Sequence, residues 1–187
     1  MDWDGFEAAW HDGGCRALAE LAAAFPGERL YAAAFHLFYG DGTQILPPAL
    51  AVNAESAVRH HGGYSTRFAA PEWRWSVVDA ASDGMRPWYR HLTDEFLTPV
   101  DGTDEVAEAL GTLEAAHDAA MARVCKAMTA TARRGRIHGA LPAGFFVAIL
   151  EGQRGDAEAD LIRASVEPHI VDATPGLAEY LREIETQ

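Results

Sequence analysis

Apolar residues along this chain switch several times between helical and alternating spacing, and each switch marks an element. From Asp4 to Phe25 the bulky residues Phe6, Trp10, Leu18, Leu21 and Phe25 stand among alanines at steps that one helix face repeats. Gly13-Gly14 lies inside this segment and is expected to break or kink it, because glycine costs a helix about 1 kcal/mol per residue. Pro26-Gly27 ends it. Arg29 to Tyr39 then alternates, with Leu30, Ala32, Ala34, His36 and Phe38 on one face and Tyr31, Ala33, Phe35, Leu37 and Tyr39 on the other. Both faces are largely apolar, which predicts a central strand covered on both sides. Gly40-Asp41-Gly42 is a hairpin signal, and Thr43 to Val52 is the return strand. Pro47-Pro48 cannot donate to a ladder, so that strand is expected to be short, bulged or at an edge.

Further on, Asn53 has the chemistry of an N-cap for a short helix ending at Gly62-Gly63. Trp73 to Asp79 predicts a third strand, with Trp73, Trp75 and Val77 on one face. A helical stretch over about 87–97 follows. The clearest periodic element covers about 104–134, where Val106, Leu110, Leu113, His117, Ala120, Val124 and Met128 form one apolar stripe. Gly144 to Glu151 reads as a buried strand and Asp156 to Glu167 as a helix halted by Pro168. Thr174-Pro175 opens a last helix to about Glu185. The predicted fold class is α+β: one domain over 1–187, with a small, mostly antiparallel sheet. That sheet holds a hairpin at 29–52 and packs against several helices, including the long one near 104–134.

Charge narrows the partners. The chain has 28 acidic and 15 basic residues among 187, a formal net charge of −13. This argues against a nucleic acid held through its phosphates and favours a basic protein partner. All the basic residues but Lys126 are arginine, which fits the coding bias of a GC-rich genome. Asp94 to Asp118 holds acids and no Lys or Arg, whereas Arg123 to Arg136 holds bases and no acids. That split offsets the macrodipole of the long helix, and it gives Arg133, Arg134 and Arg136 a capping role rather than an anion site. The acidic opening Met1-Asp2-Trp3-Asp4 does not resemble a secretory signal, and the longest apolar run, Phe145 to Leu150, is too short to span a bilayer. A cytoplasmic protein without a membrane partner is expected. Cys15 and Cys125, far apart and outside any CxxC spacing, are expected to be buried thiols.

Candidate chemistry is sparse. Eight histidines form no HExxH, HxH or Cys/His ligand set, so no metal is expected, and no glycine-rich phosphate loop calls for a cofactor. No GxSxG nucleophile motif occurs. His36, His117, Glu72 and Asp79 are the catalytic suspects, to be tested by whether folding gathers them. His117 lies on the apolar stripe and reads first as a hydrogen-bonded core histidine. The segment Arg67 to Trp75 stands out: Glu72, Trp73 and Trp75 could form a binding platform. Against that, alternation would place both tryptophans in the core, with Glu72 and Arg74 exposed.

The order of a leading helix, Arg29-Leu30-Tyr31-Ala32-x-x-Phe35, Asp41-Gly42, Asn53-Ala54-Glu55 and Glu72-Trp73 resembles an uncharacterised, mainly bacterial family, domain of unknown function 4303. The resemblance covers nearly the whole chain and implies a single domain; it brings no activity or site. The functional expectation is a non-catalytic binding or interaction protein, with an immunity-like protein as one form of it. The alternatives are a hydrolase-type enzyme whose site is assembled only by folding, and an oligomerisation role for the long helix.

Overall fold

The computed structural model describes residues 1–36, 45–61, 64–78, 80, 88–89, 104–135, 137, 141–152 and 157–186. Helix α1 spans Trp3–Ala24 and starts where the Asp2 side chain accepts a hydrogen bond from the Gly5 amide at 3.0 Å. It runs without interruption through Gly13-Gly14, contrary to the expected break. The reason lies across the interface. A Cβ on Gly14 would stand 2.5 Å from Cε of the fully buried Met128, so the missing side chain lets α1 approach the long helix.

That long helix is α2, Asp104–Arg133. Its buried stripe includes Leu110, His117, Met121, Val124, Cys125 and Met128, and it packs on α1 and on the sheet. The main sheet has four strands: β1 (Leu30–His36), β2 (Ala49–Ala54), β5 (Trp75–Val78) and β6 (Phe146–Ile149), in the order β5-β2-β1-β6. β1–β2 and β2–β5 are antiparallel, and β1–β6 is parallel. A separate two-stranded ribbon joins β3 (His60–His61) to β4 (Tyr64–Ser65). Helices α3 (Ala157–Ser165), α4 (Pro168–Ala173) and α5 (Leu177–Ile184) close the chain. The α+β class is therefore as expected, with one long helix and a mixed sheet.

Every residue of β1 is buried, as its two apolar faces predict. On one face of the sheet Ala33, Phe35, Leu50, Val147 and Ile149 meet α1 and α2 through Trp10, Leu18, Met121 and Met128. On the other, Tyr31, Ala32, Ala34, Ala51, Phe146 and Ala148 meet Phe68, Trp73, Ile162, Ile170, Leu177 and Leu181. Strict alternation fails at the start of β1, because the pairing with β2 shifts between Leu30 and Ala32. Leu30 therefore joins the layer of Ala33 and Phe35.

Two further expectations, on Asn53 and on the cap of the last helix, are corrected, and two others are met with more detail. Asn53 is not an N-cap: it sits in β2, where its amide donates to the Tyr31 hydroxyl at 3.1 Å and its oxygen accepts from the Ala54 amide at 3.0 Å. β2 begins just after Pro47-Pro48 and is short and bulged, two of the three outcomes expected, and it lies inside the sheet. The last helix is capped not by Thr174 but by Gly176, at φ 81°, a left-handed conformation glycine adopts without strain. Arg133 stands in the last turn of α2, as its charge role requires, and its Nε also donates to the Phe145 carbonyl at 3.1 Å. The Gly40-Asp41-Gly42 turn lies outside the described residues, as does the 87–97 helix apart from Trp88 and Tyr89.

The edge of β6 is closed in an unusual way. The Val147 amide donates to Thr129 Oγ1 and the Ile149 amide to Ser165 Oγ, each at 2.9 Å. Each hydroxyl hands its own proton to a helix carbonyl, Cys125 at 2.8 Å and Ile162 at 3.1 Å respectively. Two outward strand amides are thus satisfied by α2 from one side and α3 from the other. No helix among the described residues is long and apolar enough to cross a membrane.

Candidate functional site

Among the described residues His36, His117 and Glu72 stand apart from one another. His117 is buried in the α1–α2 layer, with its ring 5.6 Å from Phe6 and its Nε2 3.1 Å from the Tyr89 hydroxyl. Burial pushes the Tyr89 phenol well above its ordinary range, so the hydroxyl keeps its proton and can donate to that nitrogen. His36 points to the opposite face of the sheet from Phe35, as alternation requires, and its Nε2 lies 2.6 Å from the Ser76 carbonyl. A carbonyl only accepts, so Nε2 carries the hydrogen and Nδ1 is a bare lone pair, buried with no partner among the described residues. Glu72 is exposed on a 3-10 turn over Ala70–Glu72. Asp79 lies outside the described residues. His117 has the neighbouring Asp118 carboxylate 3.7 Å from its Nδ1.

His36 has a measurable consequence instead. Burial disfavours its charged form and lowers its pKa, against a smaller opposing effect of the Ser76 hydrogen bond. Above about pH 6.5, the ordinary histidine value, the folded and unfolded chains both hold a neutral ring and stability is full. Below it the unfolded chain takes up a proton that the native state refuses, so stability falls as the pH drops toward the folded value. The urea midpoint should decline from pH 7 to pH 5, and less steeply in His36→Gln, whose amide can still donate to Ser76. Equal slopes would remove His36 as the cause.

The tryptophan platform divides into two unlike halves. Trp73 and Trp75 do not share a face, because β5 starts only at Trp75 and Trp73 closes the preceding 3-10 turn. Trp73 is core: it is 3% exposed, its indole N–H donates to the Thr66 carbonyl at 3.0 Å, and its ring packs edge-on to Tyr31. Trp75 is half-buried, with Phe25 at 4.9 Å and the Arg74 guanidinium 4.7 Å above its ring. Arg74 is also paired with Glu28. Glu72, Trp73 and Trp75 thus form no single platform.

Sequence reasoning missed a Cys–His–Asp alignment on α1. Cys15 Sγ lies 3.6 Å from His11 Nε2, and His11 Nδ1 lies 3.0 Å from Asp12 Oδ1. The His-x-x-x-Cys spacing, one helix turn, was its only signal. Burial first, then the Asp12 charge, pushes the Cys15 thiol up to about 11, so it stays protonated and is a poor nucleophile. The same ring nitrogen contacts Thr131 Oγ1 at 2.9 Å, which ties α1 to α2. Both cysteines are free, Cys15 half-buried and Cys125 fully buried.

The feature best suited to binding is a groove of about 410 Å³ between α5 and the segment from β3 to Phe68. Phe68 and Tyr180 form its aromatic wall, with ring centroids 5.2 Å apart and planes tilted by 33°. Gly176 lies beside this wall: a Cβ there would make ordinary contact with the Phe68 ring at 3.6 Å, and it is the backbone, at φ 81°, that favours glycine. Arg67 lines the groove but is committed elsewhere, its guanidinium bonded to both Glu55 oxygens and stacked over Tyr31 at 4.7 Å. Glu179 and Glu183, one turn apart on α5, line the groove, are exposed, and form no ion pair among the described residues. Glu179 also lies in the first helical turn, where a carboxylate favours the helix. No group of three or more His, Cys, Asp or Glu among the described residues is placed to hold a metal ion. An aromatic wall beside two uncommitted carboxylates can hold a guanidinium or ammonium group. Compared with known proteins, the chain matches no family model, no curated protein and no solved structure.

Proposed function

We propose that the chain is a non-catalytic binding protein for a basic protein partner, acting by occupancy in the manner of an immunity protein. The observation that carries this reading is the groove in which Glu179 and Glu183 stand uncommitted beside the Phe68–Tyr180 wall. The net charge of −13 supports it, since a basic partner would be steered toward the chain at long range. The family resemblance is compatible with the reading and adds no activity to it.

A short arginine-containing peptide is the direct probe. It should perturb the Tyr180 and Phe68 ring signals by NMR and bind more weakly as salt rises through about 0.1 M, where charges are screened beyond about 10 Å. Changing both Glu179 and Glu183 to glutamine should weaken binding about tenfold, taking roughly 0.7 kcal/mol for each exposed ion pair. Binding by the double variant as tight as by the parent chain removes the groove from the proposal.

A further inference from the structure

A second cleft, of about 520 Å³, opens between α3, α4 and α5, on the opposite side of α5 from Glu179 and Glu183. Its volume lies within the roughly 300–1,000 Å³ usual for small-molecule sites. Val166 and Leu181 form a buried floor, Pro168 and Val171 add apolar walls, and Arg163 and Arg182 stand at the rim. Arg163 is already paired with Glu185. Arg182 is exposed and has no ion pair among the described residues. Arg16, Arg67, Arg74, Arg123 and Lys126 have carboxylate partners, whereas Arg182, like Arg29, Arg59 and Arg134, has none among the described residues; what sets Arg182 apart is its place in this cleft, beside the apolar floor.

We propose that this cleft binds a small amphiphilic carboxylate, with its apolar body on Val166 and Leu181 and its head group on Arg182. The planar guanidinium matches a carboxylate through two parallel hydrogen bonds, while the floor removes the tail from water. Asp172 lines the same cleft and forms no ion pair with either arginine. It opposes an anion and would favour a cation, so the two residues give the site a charge test in both directions. The inference is independent of the acidic groove.

The test uses the full chain titrated with hexanoate, octanoate and decanoate below their micelle concentrations, followed by amide shifts of Val166, Val171 and Leu181. Binding should saturate, and affinity should rise about twofold per methylene for a half-covered tail. Arg182→Gln should weaken decanoate about tenfold, as expected for loss of a charge-assisted hydrogen bond, and Asp172→Asn should tighten it. Both side chains are exposed and form no ion pair among the described residues, so both variants should keep the parent unfolding midpoint. Unsaturable shifts, shifts mapping outside the cleft, or an Arg182→Gln affinity equal to the parent's overturn the proposal. Octylammonium binding that is weakened by Asp172→Asn, without decanoate binding, would instead identify a cation site and also overturn it.

Discussion

Trp10→Ala is expected to lower stability by about 3–5 kcal/mol, the usual range for deleting a buried aromatic side chain. Trp10 is fully buried where α1 meets the sheet, edge-on to Phe35 at 5.3 Å and to Tyr89 at 6.0 Å, with Phe6 at 6.5 Å. Two contributions add. The ring's transfer from water is lost, and a cavity remains that these aromatic neighbours are too rigid to fill. A loss of this size is a large part of the 5–15 kcal/mol that holds an ordinary domain together. Urea unfolding should show a much lower midpoint with an unchanged slope, and Trp10→Phe should recover most of the loss. A change under 1 kcal/mol would mean that α1 does not pack on the sheet as described.

The second large effect comes from two hydroxyls. Thr129→Val and Ser165→Ala remove the acceptors of the Val147 and Ile149 amides without changing the apolar layers much. A buried N–H without a partner costs about 1–3 kcal/mol, so the double variant should lose about 2–6 kcal/mol. Thr129→Ser keeps the acceptor and should lose little by comparison. Urea unfolding of the two single variants and the double variant reads the cost of each unpaired amide. If the double variant unfolds at the parent midpoint, the hydroxyls are not what satisfies this edge.

How much of this was legible in sequence depended on whether the signal was periodic or local. The stripe of α2 and the two apolar faces of β1 follow from spacing alone, and both are found. Bulky residues in α1 also gave the right helix, but Gly13-Gly14 was misleading. Propensity describes an isolated helix, whereas Gly14 answers to Met128, more than a hundred residues away in sequence. Trp73 failed for a related reason: period-two counting presumes a strand, and the chain there is still in a 3-10 turn ending at Glu72. Asn53 was given the role its type prefers locally, while in the fold its amide serves the Tyr31 hydroxyl.

The groove was illegible for another reason. Its wall joins Phe68 to Tyr180, and nothing in either neighbourhood announces the other. The available signal was Glu179-Tyr180-x-x-Glu183 on a helix, two carboxylates one turn apart beside an aromatic ring, a pattern common on helix surfaces. His117 and His36, the two histidine suspects, are both buried. Only coordinates show the sheet standing between them.

The pairing of β1 with β6 has a consequence for how the chain comes together. Ala32 is matched to Phe146, so the innermost strand receives one of its two neighbours only after most of the polypeptide has been made. A ribosome-bound intermediate carrying α1, β1 and β2 has one flank of its central strand still bare. Closing it requires a loop of more than a hundred residues, and such long closures slow the final collapse far more than they weaken its product. The hairpin and first helix can therefore meet early, while the last third of the chain works as the keystone.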